Sequence, residues 1–75
     1  MSNSFFLLCE VCKKNGQYIP LSEETLLSDR GLLDSCIDDI LVQELISCGL
    51  EKNDEPNQYG LAIESAIDYF NKFRL

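Results

Sequence analysis

The sequence has no histidine and no tryptophan, and only six of its 75 residues are basic. The absence of histidine removes the commonest general base and metal ligand of proteins. Two motifs that mark many enzymes, a glycine-rich phosphate loop and a nucleophile elbow, are also missing. We therefore predict a protein that binds a partner without catalysing a reaction and that needs no cofactor.

The small number of basic residues also bears on the choice of partner. Thirteen acidic residues against six basic ones give a formal charge of −7. Nucleic-acid binding depends on neutralising phosphates with Lys and Arg, so DNA is the less favoured partner. The same charge favours attraction to a basic protein.

The sequence lacks a long apolar run and a basic leader. No run approaches the roughly 18–20 apolar residues of a membrane-spanning helix. The apolar run that starts at Phe5 is interrupted by Glu10, and no positive charge precedes it, so no secretory signal is predicted. We expect a cytoplasmic protein that does not bind membranes, with its cysteines reduced.

Four cysteines are present, and two of them, Cys9 and Cys12, have the CxxC spacing of zinc and redox sites. Redox pairs normally lie at the start of a helix that follows a strand, whereas these lie inside an apolar helix and share one face. Cys36 and Cys48 could complete a four-thiolate site only if the fold brings them close. Buried free thiols are favoured over structural zinc, so we predict no metal.

Hydrophobic spacing predicts a mainly helical chain with a short β-hairpin. The predicted order is a helix over 4–14, an extended segment over 17–21, a helix from Ser22, a long helix over 32–48, a hairpin over 50–63 with its turn at Pro56-Asn57, and a final helix from Glu64. The long helix buries a stripe at helical spacing, formed by Leu33, Ile37, Ile40, Leu41, Leu45 and Cys48. In the second strand, Tyr59, Leu61 and Ile63 alternate with smaller residues, which is typical of a strand with one buried face.

This order, together with two segments, resembles the winged-helix superfamily. The segments are residues 43–52 (QELISCGLEK), which resemble the end of the third helix, and residues 59–65 (YGLAIES), which resemble the second wing strand. Many such regulators have a threonine and a glycine where this chain has Ala62 and Ser65. The resemblance implies an α+β, mainly α fold for residues 1–75, a single domain with a three-helix core, a two-stranded wing and a C-terminal helix. It also implies a DNA-binding transcriptional regulator that acts as a dimer.

The charges on the long helix and the wing favour a different function. The acids there form one candidate surface for a basic protein: Asp34, Asp38, Asp39, Glu44, Glu51, Asp54 and Glu55. A regulator or inhibitor of a nucleic-acid-handling system could use such a surface, because complementary charge gives specificity and fast association. If the chain binds DNA instead, Arg30 and Lys52 are the candidate contacts.

Aromatic residues on the first and last helices are candidates for a homodimer interface: Phe5, Phe6, Tyr69, Phe70 and Phe73. The alternative for these residues is that both helices only close the core.

Overall fold

The computed structural model describes residues 2–53 and 55–74, in which the regular structure is helical. The elements follow in the order α1 (Asn3–Lys14), α2 (Glu23–Ser28), α3 (Arg30–Ser35), a π-helical turn (Cys36–Leu41), α4 (Val42–Cys48) and α5 (Gln58–Asn71). The junction residues Cys36 and Val42 keep right-handed helical backbone angles, so α3, the π turn and α4 form one continuous helix over 30–48, called the long helix below.

Each helix that follows a loop begins after a polar side chain that caps it. Side-chain oxygens of these residues accept hydrogen bonds of 2.8–3.1 Å from the backbone N–H three positions later. Such a cap satisfies an otherwise unpaired N–H and contributes about 1 kcal/mol. The four caps are Ser2, Ser22, Asp29 and Asn57.

The core lies where α1, the long helix and α5 pack together. Leu33, Ile37 and Leu41 are fully buried, as expected of the apolar stripe of the long helix. The other buried apolar residues are Phe5, Leu8, Val11, Cys12, Leu26, Cys36, Ile63, Ala66 and Phe70. The predicted first helix over 4–14 is confirmed, and its apolar side faces this core.

The predicted hairpin over 50–63 is absent, and the winged-helix fold prediction is therefore wrong. The described residues contain no β-strand, and one isolated antiparallel bridge joins Leu50 to Pro56. The segment predicted as the second wing strand forms the first turns of α5, because Asn57 caps a helix that starts six residues before Glu64. The extended segment over 17–21, which Pro20 restricts to an edge strand or a loop, is a loop.

Two glycines explain why a helix can start at this position. A Cβ atom on Gly60 would lie 2.0 Å from the carbonyl oxygen of Gly49, so the first turn of α5 crosses the end of α4 in backbone contact. Asn57 fixes the crossing, because its backbone N–H donates to the Gly49 carbonyl at 2.9 Å and its side-chain amide donates to the Cys48 carbonyl at 3.2 Å. The α4–α5 junction is thus a tight loop and not a wing.

The π turn in the long helix changes the direction in which the residues after it face. At its end the backbone N–H of Val42 bonds to the carbonyl of Ile37, five residues earlier, in place of the usual four. Single π turns inside α-helices occur frequently at functional sites. Here the turn carries Asp38 and Asp39, two of the predicted acidic residues.

No helix in residues 2–53 and 55–74 has the length and apolar character needed to cross a membrane.

Candidate functional site

A buried carboxylate lies at the point where α1, α4 and α5 meet. Glu44 on α4 is only 4% exposed, although an unpaired charge is costly to bury. It was predicted to belong to an exposed acidic surface, but the structure buries it. Its burial requires that neighbouring groups hold the charge.

Three side chains from other elements donate hydrogen bonds to Glu44. Lys14 Nζ and the Tyr59 hydroxyl donate to Oε2 at 2.7 and 2.6 Å, and Asn15 Nδ2 donates to Oε1 at 3.3 Å. The Lys14 ammonium also lies 5.5 Å from the centre of the Tyr59 ring, within the range of a cation–π contact. We call these four residues the Glu44 cluster.

The Glu44 cluster changes the acidity of its members. Burial acts to raise the pKa of Glu44, but the hydrogen bonds from Lys14, Tyr59 and Asn15 outweigh it and hold the pKa below its usual value. Burial and the hydrogen bond to Glu44 raise the pKa of Tyr59 to about 12. At neutral pH the cluster therefore contains a carboxylate, an ammonium and a neutral phenol.

A cleft of about 280 Å³ opens next to the Glu44 cluster. One wall is a stripe along the long helix, in which Asp39, Gln43 and Ser47 follow one another at a spacing of four residues. The remaining wall includes Lys14, Asn15, Gln17 and Cys48. The cleft therefore presents amide, hydroxyl, carboxylate, ammonium and thiol groups, which suits a polar ligand or polar side chains of a partner.

The remaining predicted acids differ in their surroundings. Asp39 is exposed and accepts a hydrogen bond from the Ser35 hydroxyl at 3.3 Å. Glu51 and Glu55 are exposed in the α4–α5 loop, where the Glu51 backbone N–H donates to the Glu55 carbonyl at 2.7 Å. In the described ranges no basic group lies within 4.0 Å of these three carboxylates. Asp54 lies outside the described residues.

Asp34 and Asp38 are bound by arginines. Arg74 Nε lies 3.0 Å from Asp34 Oδ1, and Arg74 Nη1 lies 3.2 Å from Asp38 Oδ1. Arg30 Nε lies 3.6 Å from the same oxygen of Asp34, one turn along the helix. Arg30, a predicted DNA contact, is thus next to a carboxylate, while Lys52, the other predicted DNA contact, is exposed in the α4–α5 loop.

The predicted dimer residues fall into two groups. Phe5 and Phe70 are buried in the core of the monomer, which corresponds to the alternative that these helices close the core. Phe6 and Phe73 are about half exposed, and Tyr69 is partly buried. The Tyr69 ring packs edge-to-face on Phe70 and Phe73, with ring centres 5.2 and 5.3 Å apart. A homodimer through Phe6 and Phe73 stays a prediction.

The four cysteines are free thiols with different exposure. Cys12 and Cys36 are buried, Cys9 is partly buried and Cys48 is exposed. Burial, with Cys12 and Cys9 nearby, raises the pKa of Cys36 to about 11. Within the described ranges, no three His, Cys, Asp or Glu residues are placed to hold a metal ion together.

Sequence reasoning missed Lys14, Asn15 and Tyr59 as partners of Glu44. From the sequence, Lys14 was placed only at the end of the first helix and Tyr59 in a strand, and Asn15 was given no part in a site. One signal was available, because Pro56-Asn57 followed by apolar residues at 63, 66 and 70 is also the pattern of a capped helix. The packing of α1 beside α4 has no comparable signal in the sequence.

Comparison with known proteins adds no family and no relative: no protein-family model, curated protein or solved structure matches this chain.

Proposed function

We propose that this protein is a non-catalytic interaction module, a regulator or inhibitor that binds a basic protein partner. Its contact surface is an acidic face that we define as Asp39, Glu51 and Glu55. The observation that carries the proposal is that these three carboxylates are exposed and have no basic group within ion-pair distance among the described residues. Charges left unpaired in this way are available to a complementary partner.

The geometry of the acidic face supports contact with a protein. Asp39 begins the polar stripe along the long helix, and the stripe ends at Ser47, next to the loop that carries Glu51 and Glu55. Lys and Arg side chains of a partner could therefore meet acids near both ends of the cleft. Charges at the edge of a contact surface favour fast association and specificity.

The surroundings of the arginines make DNA the weaker candidate. Binding to a phosphate backbone needs cations that are not already paired. Arg30 and Arg74 both form ion pairs with Asp34, and Arg74 also forms one with Asp38. Competition with these carboxylates weakens the contact that either arginine could make with a phosphate. We further propose that the protein acts in the cytoplasm, where its thiols stay reduced, and that its basic partner itself handles nucleic acid.

The test compares capture of proteins from host-cell extract by the wild type and by two triple variants. Asp39→Asn, Glu51→Gln and Glu55→Gln together remove the charge of the acidic face. Glu10→Gln, Glu24→Gln and Glu64→Gln remove the same charge elsewhere. We expect a basic protein to be bound by the wild type and the control, and at least roughly tenfold more weakly by the acidic-face variant.

Two results would contradict the proposal. One is equal capture of the same partners by both triple variants. The other is salt-sensitive micromolar binding of mixed-sequence duplex DNA by the wild type, which would revive the nucleic-acid alternative.

A further inference from the structure

We propose that a second copy of this chain docks on the groove between α1 and α5, so that Phe6 of each copy enters the groove of the other. This contact uses none of the residues of the acidic face and does not depend on the basic partner proposed above. Three features of the molecule support it: an uncharged groove between the two helices, an exposed phenylalanine at the level of that groove, and a local balance of charge that the chain as a whole lacks.

The groove between α1 and α5 has a volume of about 250 Å³. Its lining is uncharged, with Asn3, Ser4 and Leu7 from α1 and Ala62 and Ser65 from α5. Three of these side chains, at positions 4, 62 and 65, are small, so space is left between the helices for a side chain from another molecule. An aromatic ring could fill this space without burying a charge.

Phe6 is the side chain best placed to enter such a groove. It is 51% exposed, whereas Phe5 and Leu8 on the same helix are buried in the core. The groove is lined by residues 3, 4 and 7 of α1, so Phe6 lies at the same level along the helix axis. An aromatic ring contributes a large apolar area when it is buried in an interface. Of the aromatic residues predicted for a homodimer, this contact uses Phe6.

The direction of the two helices allows a symmetric contact. Lys14, at the end of α1, lies over the ring of Tyr59, at the start of α5. At the other end of the pair, Ser2 and Tyr69 both donate hydrogen bonds to Glu23 Oε1. The helices are therefore antiparallel. A twofold axis parallel to them places α1 of each copy on α5 of the other and keeps every residue at its level, which brings the exposed phenylalanine of each copy to the groove of the other.

The charge on this face is balanced, although the chain as a whole carries −7. Lys14 pairs with Glu44, and Glu64 is partly buried on the side of α5 opposite Ala62. Two acids and two lysines then remain exposed on α1, on α5 and directly after α5, none within 4.0 Å of an opposite charge among the described residues: Glu10, Lys13, Asp68 and Lys72. A second copy can approach this face without the repulsion that the acids elsewhere would cause, and it can supply charges of both signs.

The size of the face indicates a weak, reversible dimer. With 12 and 14 residues, α1 and α5 are about 18 and 21 Å long, and side by side they cover roughly 20 Å in width. A contact of this size falls at the low end of specific interfaces, so we expect a dissociation constant on the order of 10–100 μM. Added salt should lower this constant, because screening weakens the repulsion between two chains of charge −7.

The test measures the mass of the full chain by sedimentation velocity across roughly 1–500 μM, a range that brackets the expected constant. We expect the average mass to rise from that of one chain towards that of two. Phe6→Ser should raise the dissociation constant at least roughly tenfold, because it removes the ring that enters the groove. Ile46→Ser is the control: it removes an exposed apolar side chain (59%) from α4 and should leave the constant unchanged.

A pair of variants tests the contact itself. Ser65→Lys places an ammonium in the groove, and we expect it to weaken the dimer as Phe6→Ser does. A mixture of the two variants should associate more strongly than either alone, because Phe6 of the Ser65→Lys chain can still enter the unaltered groove of the Phe6→Ser chain. Positions 6 and 65 are both exposed, so thermal unfolding of the dilute variants should match the wild type.

Three results would overturn the proposal. The first is a wild type that stays monomeric up to the highest concentration. The second is a dimer that Phe6→Ser leaves intact. The third is a mixture of the two variants that associates no more strongly than its components.

Discussion

Glu44 is the residue on which the interior of this protein depends most. Among the described residues it is the one charged side chain that is buried. Its three hydrogen-bond donors are Lys14 in the last turn of α1, Asn15 directly after that helix, and Tyr59 in α5. Hydrogen bonds that involve a charged group contribute about 1.5–3 kcal/mol each, and an unpaired partner is costly. Glu44 therefore holds three elements together through one side chain.

The low pKa of Glu44 gives a stability that depends on pH. A folded-state pKa below the unfolded value of about 4.3 means that the contribution is complete above that pH and is lost as the pH falls through the folded pKa. We expect Glu44→Gln to lower the free energy of unfolding by about 1–2 kcal/mol at neutral pH. The difference from the wild type should shrink on acidification below about pH 4.

Urea unfolding across a pH series measures this difference. Glu10→Gln serves as the control, because it removes an equal charge from an exposed position on α1. A Glu44→Gln deficit that stays constant down to pH values below the usual carboxyl range would refute the assignment of the carboxylate as the stabilising form.

At the scale of elements, the contact between α4 and α5 is the feature that leaves least room for change. A Cβ on Gly60 would lie 2.0 Å from the Gly49 carbonyl oxygen and 2.9 Å from its carbonyl carbon. Both are backbone atoms, which cannot rotate away as a side chain would. Only glycine fits at residue 60 while the helices keep this crossing.

We expect Gly60→Ala to destabilise the protein by about 2–4 kcal/mol, because the two helices must separate. Gly31→Ala is the matched control: the nearest atom to a new Cβ there is Asp29 Oδ1 at 3.7 Å, and the site is in the first turn of α3. Alanine at that site should be neutral or stabilise by up to about 1 kcal/mol. Thermal unfolding compares the two, and equal melting temperatures would disprove the close crossing.

The helices could be predicted from the sequence where local signals agree. Ser22 caps α2, Gly16 ends the α1 region with a φ of +67°, and Leu33, Ile37 and Leu41 face the core. These features depend on side chains within a few residues of one another. They need no knowledge of the rest of the fold.

The prediction failed where tertiary packing, and not the local sequence, determines the backbone structure. Tyr59, Leu61 and Ile63 alternate like a strand, but the glycine between them serves the helix crossing at Gly49. The π turn puts the later part of the long helix out of phase with the α spacing, so Cys48, predicted to face inward, is exposed and Gly49 is buried. Neither the crossing nor the extra residue in the helix has a local signature.

At the scale of the whole molecule, three of the six cations are paired with carboxylates of the same chain. Lys14 forms an ion pair with buried Glu44, and Arg30 and Arg74 form ion pairs with Asp34. The excess of acids is thus left at positions such as Asp39, Glu51 and Glu55. This arrangement of charge is the basis on which we propose a basic protein as the partner sought in the capture experiment described above.

The tight α4–α5 loop also has a consequence for the order in which the chain folds. Its side-chain bond from Asn57 to Cys48 spans 9 residues, whereas Lys14 and Glu44 are 30 residues apart and Tyr69 and Glu23 are 46 apart. Loop-closure entropy makes the longer contacts costlier to form by roughly 1–1.5 kcal/mol. The helical hairpin of α4 and α5 should therefore form first, and α1 should dock onto it late.

Stopped-flow folding kinetics can test this order. Asn57→Ala, which removes the cap of α5 and its bond to the α4 carbonyl, should mainly slow folding. Leu8→Ala, a fully buried position on α1, should mainly accelerate unfolding. If the whole effect of Asn57→Ala appeared in the unfolding rate, the α4–α5 hairpin would not be the folding nucleus, and slower folding of Leu8→Ala would place α1 in the nucleus instead.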